Sequence, residues 1–439
     1  MLNPPLSILS NELLLYIVSC LAELPFAKEH LHNLSLTDRA FTQHCQEYIF
    51  RVLSLGGRSG TRGEISSQLK KIRRIFDEKP SISQRVRIID IYATQNENAW
   101  LWKDGTFLSI ICTLSESPRP PYELRIRGPI SRPVKLEDPG LLVECIEQSF
   151  VSRTLLVLHL QNCKSVPLSL FLVCQELKEV KLDGVRVAAQ EYGNCSDIQI
   201  HGQGAPSLKH LDFRGAHSLV RYMVHPPPGF RAPVVNLSQL RTLTLSPHER
   251  AEMNYLQLIL NAASTTLEEL YLTNIRIGND IQLPLAALVD LHRLQQLRVF
   301  AVFATMTCGT EETWVIADIN SVLQTIPLST QMTNLFFDIT VYGTQPFEGI
   351  LDQAWVGFCG EAIRISSGKH LELDISIGVS IGRMEAHHPG AEKLYADILN
   401  RMATLSGHSD ICLHYWNPTC WEFGVEPPPC GQVRGRCRR

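Results

Sequence analysis

"LLVLHLQNCKSVPLSLFLVCQELKEVKL", residues 155–182, decides the fold, because it repeats one pattern at both ends. Leu155, Leu158 and Leu160 form L-x-x-L-x-L, and Leu177, Val180 and Leu182 form it again 22 residues later. Alternating apolar residues at the end of each copy are the mark of a strand with one buried face. Between them "PLSLFLVC" carries apolar residues at helical spacing. One strand plus one return segment makes a unit that cannot bury its apolar face alone, so copies must stack.

Working outward, the same pattern continues as "LKHLDF" from Leu208, "LRTLTL" from Leu240, "LEELYL" from Leu267, "LQQLRV" from Leu294 and "MTNLFF" from Met332. The starts are separated by 22, 31, 32, 27, 27 and 38 residues, intervals that suit a leucine-rich solenoid. "VRIIDI" at 86–91 opens the series, while "HLELDISI" near 370 and "DICLHYW" near 410 extend it to about residue 416. Helical returns are expected at "PLSLFLVC", "NYLQLILNAAS", "LPLAALVDLHRL" and "VIADINSVLQTI". The repeat is degenerate: eight residues after each start stand Cys163, Val185, Ala216, His248, Ile275 and Val302, of which only Cys163 is a usual ladder residue. A mixed sheet in a non-repeating α/β domain is the alternative.

Residues 1–55 read differently, as a compact helical unit. Ser10 is placed to cap a helix, with Glu12 in its first turn and Pro25 closing it. At about 100° per residue, Leu13, Ile17, Cys20, Leu21 and Leu24 share one side, Leu14 and Val18 widen it, and Leu15 and Tyr16 lie further round. A unit this small has more apolar surface here than it can cover, so the surplus calls for a neighbour. "LGGRSGTRGE" then reads as a flexible connection, which favours another chain as that neighbour. "ISSQLKKIRRIFDEKP" reads as an amphipathic helix with Ile65, Leu69, Ile72, Ile75 and Phe76 on one side and a solvated basic face of Lys70, Lys71, Arg73 and Arg74.

The stretch from Leu9 to Leu55 resembles an F-box, the short helical motif by which substrate receptors dock on the Skp-type adaptor of cullin-based (SCF-type) ubiquitin ligases. The family's Leu-Pro-x-Glu-Leu/Ile opening is present as Leu9-Ser10-Asn11-Glu12-Leu13-Leu14, with Ser10 where proline is usual. Its second half is matched in "LHNLSLTDRAF" at Leu31, Leu34, Ser35, Arg39 and Phe41, with Thr37 and Asp38 where Val and Cys are usual. "YIFRVLSL" fits its closing segment. The match covers about a tenth of the chain. The remainder is similar, more loosely, to fungal F-box proteins with degenerate leucine-rich repeats.

The resemblance implies an N-terminal three-helix F-box (1–55), a linker and basic helix (56–84), a leucine-rich-repeat-like α/β solenoid that selects the target (85–416) and a Pro-rich, basic tail (417–439). It implies Leu9, Leu13, Leu14, Ile17, Leu21, Leu31, Leu34, Leu36 and Phe41 as the adaptor contact or its immediate support. The partners implied are the adaptor, through it a cullin, and a target protein the resemblance does not name. The rival is a leucine-rich scaffold whose N-terminal helices only cap the solenoid.

Composition narrows the remaining classes. With 44% hydrophobic and 19% charged residues in 439, the chain has material for a large core. A formal charge of −3 gives no global field for nucleic acid or an anionic membrane. Thirteen cysteines without a C-x-x-C pair suit a reduced, cytoplasmic or nuclear protein. No apolar run reaches a bilayer span of about 18 to 20 residues, and nothing basic precedes Lys28 as a secretory leader would need.

No nucleophile elbow, phosphate loop, dinucleotide fingerprint or H-E-x-x-H is present, so neither an enzyme nor a cofactor is expected. His408, Cys412, His414 and Cys420 match no zinc spacing. His387 and His388 read as a solvated turn, and Cys430 and Cys437 would pair only in an oxidising compartment. Trp314, Trp355, Trp416 and Trp421 are core or recognition residues.

Overall fold

The computed structural model describes residues 10–416 apart from 25, 57–60, 94–98, 130–132, 137, 149–150, 188–203, 248–249, 278–284, 308–313, 343–352, 381–399, 401–403, 406–407 and 409. The chain divides into two compact units. The first holds residues 1–206 and 226–235, the second 207–225 and 236–439. Both are mixed α/β, each built on a parallel sheet.

The first unit begins with α1 (Asn11–Ala22), α2 (Ala27–Thr37) and α3 (Arg39–Ile49). After β1 (Val52–Leu55) come α4 (Arg62–Glu78), α5 (Pro80–Ser83) and β2 (Ile88–Tyr92), then α6 (Ala99–Lys103), α7 (Gly105–Ser115) and β3 (Glu123–Arg127). The short β4 (Val134–Lys135), α8 (Pro139–Gln148) and α9 (Val151–Thr154) lead to β5 (Val157–Gln161). Last are β6 (Cys163–Lys164), α10 (Ser169–Val173) and β7 (Glu179–Asp183). The main sheet runs β1-β2-β3-β5-β7, every pair parallel, and β4 pairs with β6 beside it.

In-register pairing stacks the same kind of residue from strand to strand: Leu53, Ile89, Leu124, Leu158 and Val180 form one row, and Leu55, Ile91, Ile126, Leu160 and Leu182 the next. All ten are buried. Their neighbours along each strand point the other way, as a period of two requires. Cys163, Val185 and Ala216, at the expected ladder position, are fully buried, and burial pushes the Cys163 thiol up to about 12.

The second unit contains β8 (His210–Arg214), α11 (His217–Val224), β9 (Thr242–Leu245), α12 (Arg250–Ala262), β10 (Glu269–Ile277), β11 (Val299–Thr307) and α13 (Trp314–Gln324). It continues with β12 (Asn334–Tyr342), α14 (Gln353–Ser366), β13 (Leu371–Ser380) and β14 (Ile411–Trp416). These strands also lie in chain order, β8-β9-β10-β11-β12-β13-β14, all parallel. Their apolar face carries the aromatic core: Phe300 stands edge-on to Phe337 at 6.3 Å, Phe337 to Phe358 of α14 at 5.1 Å, and Phe358 to Trp355 at 5.6 Å. Trp355 is therefore a core residue.

Several expectations need correction. The strand read from Leu294 begins three residues later, because Val299 pairs with Glu269 and Asn334, which puts Leu297 in line with Leu267 and Met332. Leu291, Leu294 and Leu297 are equally spaced and all buried, so spacing alone could not choose among them. "LPLAALVDLHRL" holds only a 3₁₀ turn at Leu285–Ala287, not a helix. Two strands of the main sheet escaped notice, besides the short pair β4 and β6. In β1, Phe50 takes the first place of "FRVLSL"; in β3, Pro121 takes it in "PYELRI".

The connection matters most. "LGGRSGTRGE" does not separate the three helices from the sheet: α3 runs almost directly into β1, and Arg51 O accepts from the backbone of Arg87 (2.8 Å) and Ile88 (3.0 Å) at the start of β2. The glycine-rich segment instead lies between β1 and α4. Its first glycine, Gly56, has φ +83°, and a Cβ there would lie 2.5 Å from the Tyr92 carbonyl oxygen, so only glycine fits. The expected basic face of α4 is half neutralised within the helix, since Arg73 pairs with Asp77 and Arg74 with Glu78. Arg73 also donates to Ser109 Oγ (2.8 Å) and Thr113 Oγ1 (2.7 Å) of α7, which makes it a packing residue.

Candidate docking surface

The three N-terminal helices are placed by their caps. Ser10 Oγ accepts from the Leu13 backbone at 3.4 Å, and Glu12, hydrogen-bonded to the backbone and to Ser10, is held below the usual carboxylate range. Ser10, which stands where an F-box usually has proline, is thus a working N-cap. Asp38 does the same for α3: its backbone is extended, its carboxylate accepts from Ala40 N at 2.9 Å, and the chain turns there from α2 into α3. Thr42 Oγ1 ties α3 back to Ser35 O at 3.1 Å.

Leu14, Val18, Leu31, Phe41 and Cys45 form the bundle's buried core, with Ile17, Leu21, Ala22, Leu34, Ala40, Tyr48 and Ile49 against it. Every member comes from residues 14–49, so the bundle has a core of its own. With Leu14 and Val18 turned inward, the opposite arc of α1 is fixed. Leu13, Tyr16 and Cys20 follow one another at helical spacing within an arc of about 60°, and all three are exposed, as is Leu24 just past the C-cap Glu23.

Two more apolar side chains project from the same bundle. Leu36, near the end of α2, is 73% exposed, and Phe26, in the turn between α1 and α2, is 80% exposed. Phe26 also has φ 62°, a left-handed conformation that a bulky residue seldom adopts. Backbone strain and a fully presented ring therefore coincide at one position.

The nine expected contact residues separate by place. Leu14, Leu31 and Phe41 are core and can only support a surface. Ile17, Leu21 and Leu34 are half-buried against that core, while Leu13 and Leu36 are exposed. Leu9 lies outside the described residues. Tyr16, Leu24 and Phe26 were missing from the expected set. The helical arc already placed Leu24 beside Leu13; what it could not decide was which side faced inward.

Among the described residues no group of three or more His, Cys, Asp and Glu could hold a metal ion, and no helix is long and apolar enough to cross a membrane. His408 is exposed and Cys412 half-buried. The side chains of Trp314, His414 and Trp416 are not among those described, and His387, His388, Cys420, Trp421, Cys430, Cys437 and the basic tail fall outside the described residues. The chain matches no family model, and no curated protein matches it either.

Proposed function

We propose that this chain is a non-catalytic substrate receptor of an SCF-type ubiquitin ligase, its N-terminal helices an F-box that docks on a Skp-type adaptor and its strand-rich remainder a leucine-rich-repeat-like solenoid that holds a target protein. One observation carries the docking half: α1 closes the bundle core with Leu14 and Val18 and still presents Leu13, Tyr16 and Cys20 to solvent, with Leu24 exposed just past its end. A helix that only capped a sheet would spend its second face on the sheet. Supporting the solenoid half, each main strand within a unit lies parallel beside the one before it in the chain, as stacked repeats require.

The work done by such a receptor is proximity. Holding a target near the ubiquitin-charged enzyme that the cullin recruits raises effective concentration with no bond chemistry in this chain. Purified full-length chain should bind a Skp-type adaptor at micromolar concentration or tighter, and Leu13→Asp combined with Tyr16→Asp should remove that binding while the melting curve is preserved. An unaltered affinity in the double variant, or no binding by the parent, would remove the ligase role.

A further inference from the structure

In the second unit, β10 to β13 bury one face and present the other. Leu270, Phe300, Leu335 and Leu373 point into the aromatic core, so the residues alternating with them face away from it. Several rows cross that outer face in register, and the one after the three described next is Arg276, Thr305, Thr340 and Gly378. The first is Glu269, Val299, Asn334 and Glu372; the second Tyr271, Ala301, Phe336 and Asp374; the third Phe303, Asp338 and Ser376.

Its composition is one-sided. Four carboxylates stand in the first three rows against one basic residue, Arg276, in the row that follows. In the middle are two phenylalanines on a solvent-facing sheet surface: Phe303 and Phe336, half-buried, with ring centroids 5.1 Å apart and planes inclined at 35°. Asp338 is in register with Phe303. Burial pushes its carboxyl above the usual carboxylate range, and Ser376 only partly offsets this. Ser376 Oγ is sealed from solvent yet makes no hydrogen bond of good geometry. A desolvated carboxylate beside a pair of aromatic rings suits a cation with an aliphatic stem.

We propose that this face binds an extended, basic segment of the target protein, with an arginine or lysine side chain laid over Phe303 and Phe336 and its charge on Asp338. The rings offer the cation their negative faces, and the carboxylate lies where water is already partly excluded. The flanking Glu269, Glu372 and Asp374 attract further basic residues and speed encounter. This deepens the receptor reading by giving the target a chemical class. Its test needs no adaptor, so either half can fail alone.

Full-length chain is titrated into a fluorescently labelled 12-residue peptide of Arg, Gly and Ser with four arginines, and into the same peptide with glutamate for arginine. Binding of the first alone is expected, weakened at least tenfold by Asp338→Asn and by Phe336→Leu, which keeps an apolar side chain but removes the ring. Glu372→Gln, which takes an equal charge from the exposed end of the first row, should change affinity less than threefold. Asp338→Asn should melt no lower than the parent, because the charge it removes is a desolvated one. If all three variants weaken binding equally, attraction is diffuse and the site does not exist. If the parent binds only after Arg434, Arg436, Arg438 and Arg439 are changed to glutamine, the face is the seat of the chain's own tail and the target proposal falls.

Discussion

The two faces of α1 can be separated by one pair of substitutions, Leu14→Ala and Tyr16→Ala. Leu14 is 3% exposed and stands in a five-residue core with Val18, Leu31, Phe41 and Cys45. Truncating a leucine so placed costs about 2–5 kcal/mol, depending on how far the cavity collapses. At about 1.4 kcal/mol per factor of ten, local opening of the bundle should rise roughly 30-fold to several thousand-fold. Tyr16 is 66% exposed, and its truncation should lie within about 0.5 kcal/mol, with alanine's helix propensity in its favour. Backbone hydrogen exchange over residues 11–49 of the full-length chain reads both, since it reports local opening without requiring the whole molecule to unfold as one. Leu14→Ala should accelerate exchange across all three helices, and Tyr16→Ala should change it less than roughly threefold while weakening adaptor binding at least tenfold, as expected of an aromatic anchor. Equal acceleration in the two variants would mean that Tyr16 is packed, and the outer stripe would no longer be a surface.

Two further outcomes are expected. His159 is held below the usual histidine range by burial and by Arg125, Lys181 and Arg127, so the folded chain resists a proton that the unfolded chain takes up near pH 6.5; its contribution is present above that pH and is lost as pH falls through it. A His159→Asn variant should therefore lose less melting temperature than the parent between pH 7.5 and 5.5, and equal losses would show that His159 does not couple to folding. Gln68 covers the edge of β1 as a strand would, with Oε1 accepting from Gly56 N at 3.0 Å and Nε2 donating to Ser54 O at 2.9 Å; Gln68→Ala should raise light scattering at high concentration as that edge becomes free to pair, and an unchanged scattering profile would mean that the edge needs no cover.

The strands were legible where leucine marked all three apolar places, as in β5, β9 and β10, and also where Val86 or Met332 took the first one, but not where proline or phenylalanine did. Proline at 121 hid β3, because a Pro-Pro pair reads as loop whatever follows it. Phenylalanine at 50 hid β1, because "YIFRVLSL" also suits the end of a helical motif. The faces of α1 were legible only as a wide apolar arc. Leu13 and Leu14 are adjacent and chemically identical, and which of them is buried depends on Leu31 and Phe41, contacts that no periodicity within α1 encodes. Asp38 illustrates the opposite case. Its departure from the family pattern has a local cause, the N-cap of α3.

The position of the glycine-rich segment changes what supports the docking proposal. Read from the sequence, surplus apolar surface calls for a neighbour, and a flexible connection after the helices favours another chain over the solenoid as that neighbour. In the structure α3 passes into β1 within a few residues, the Arg51 carbonyl is bound by the start of β2, and Arg51 Nη2 donates to Tyr122 Oη at 2.7 Å, so no hinge lies there. The choice of another chain as partner then rests on surface alone: three apolar side chains on one arc of α1 with Leu24 just past its end, a presented leucine on α2 and a strained, exposed phenylalanine between the helices.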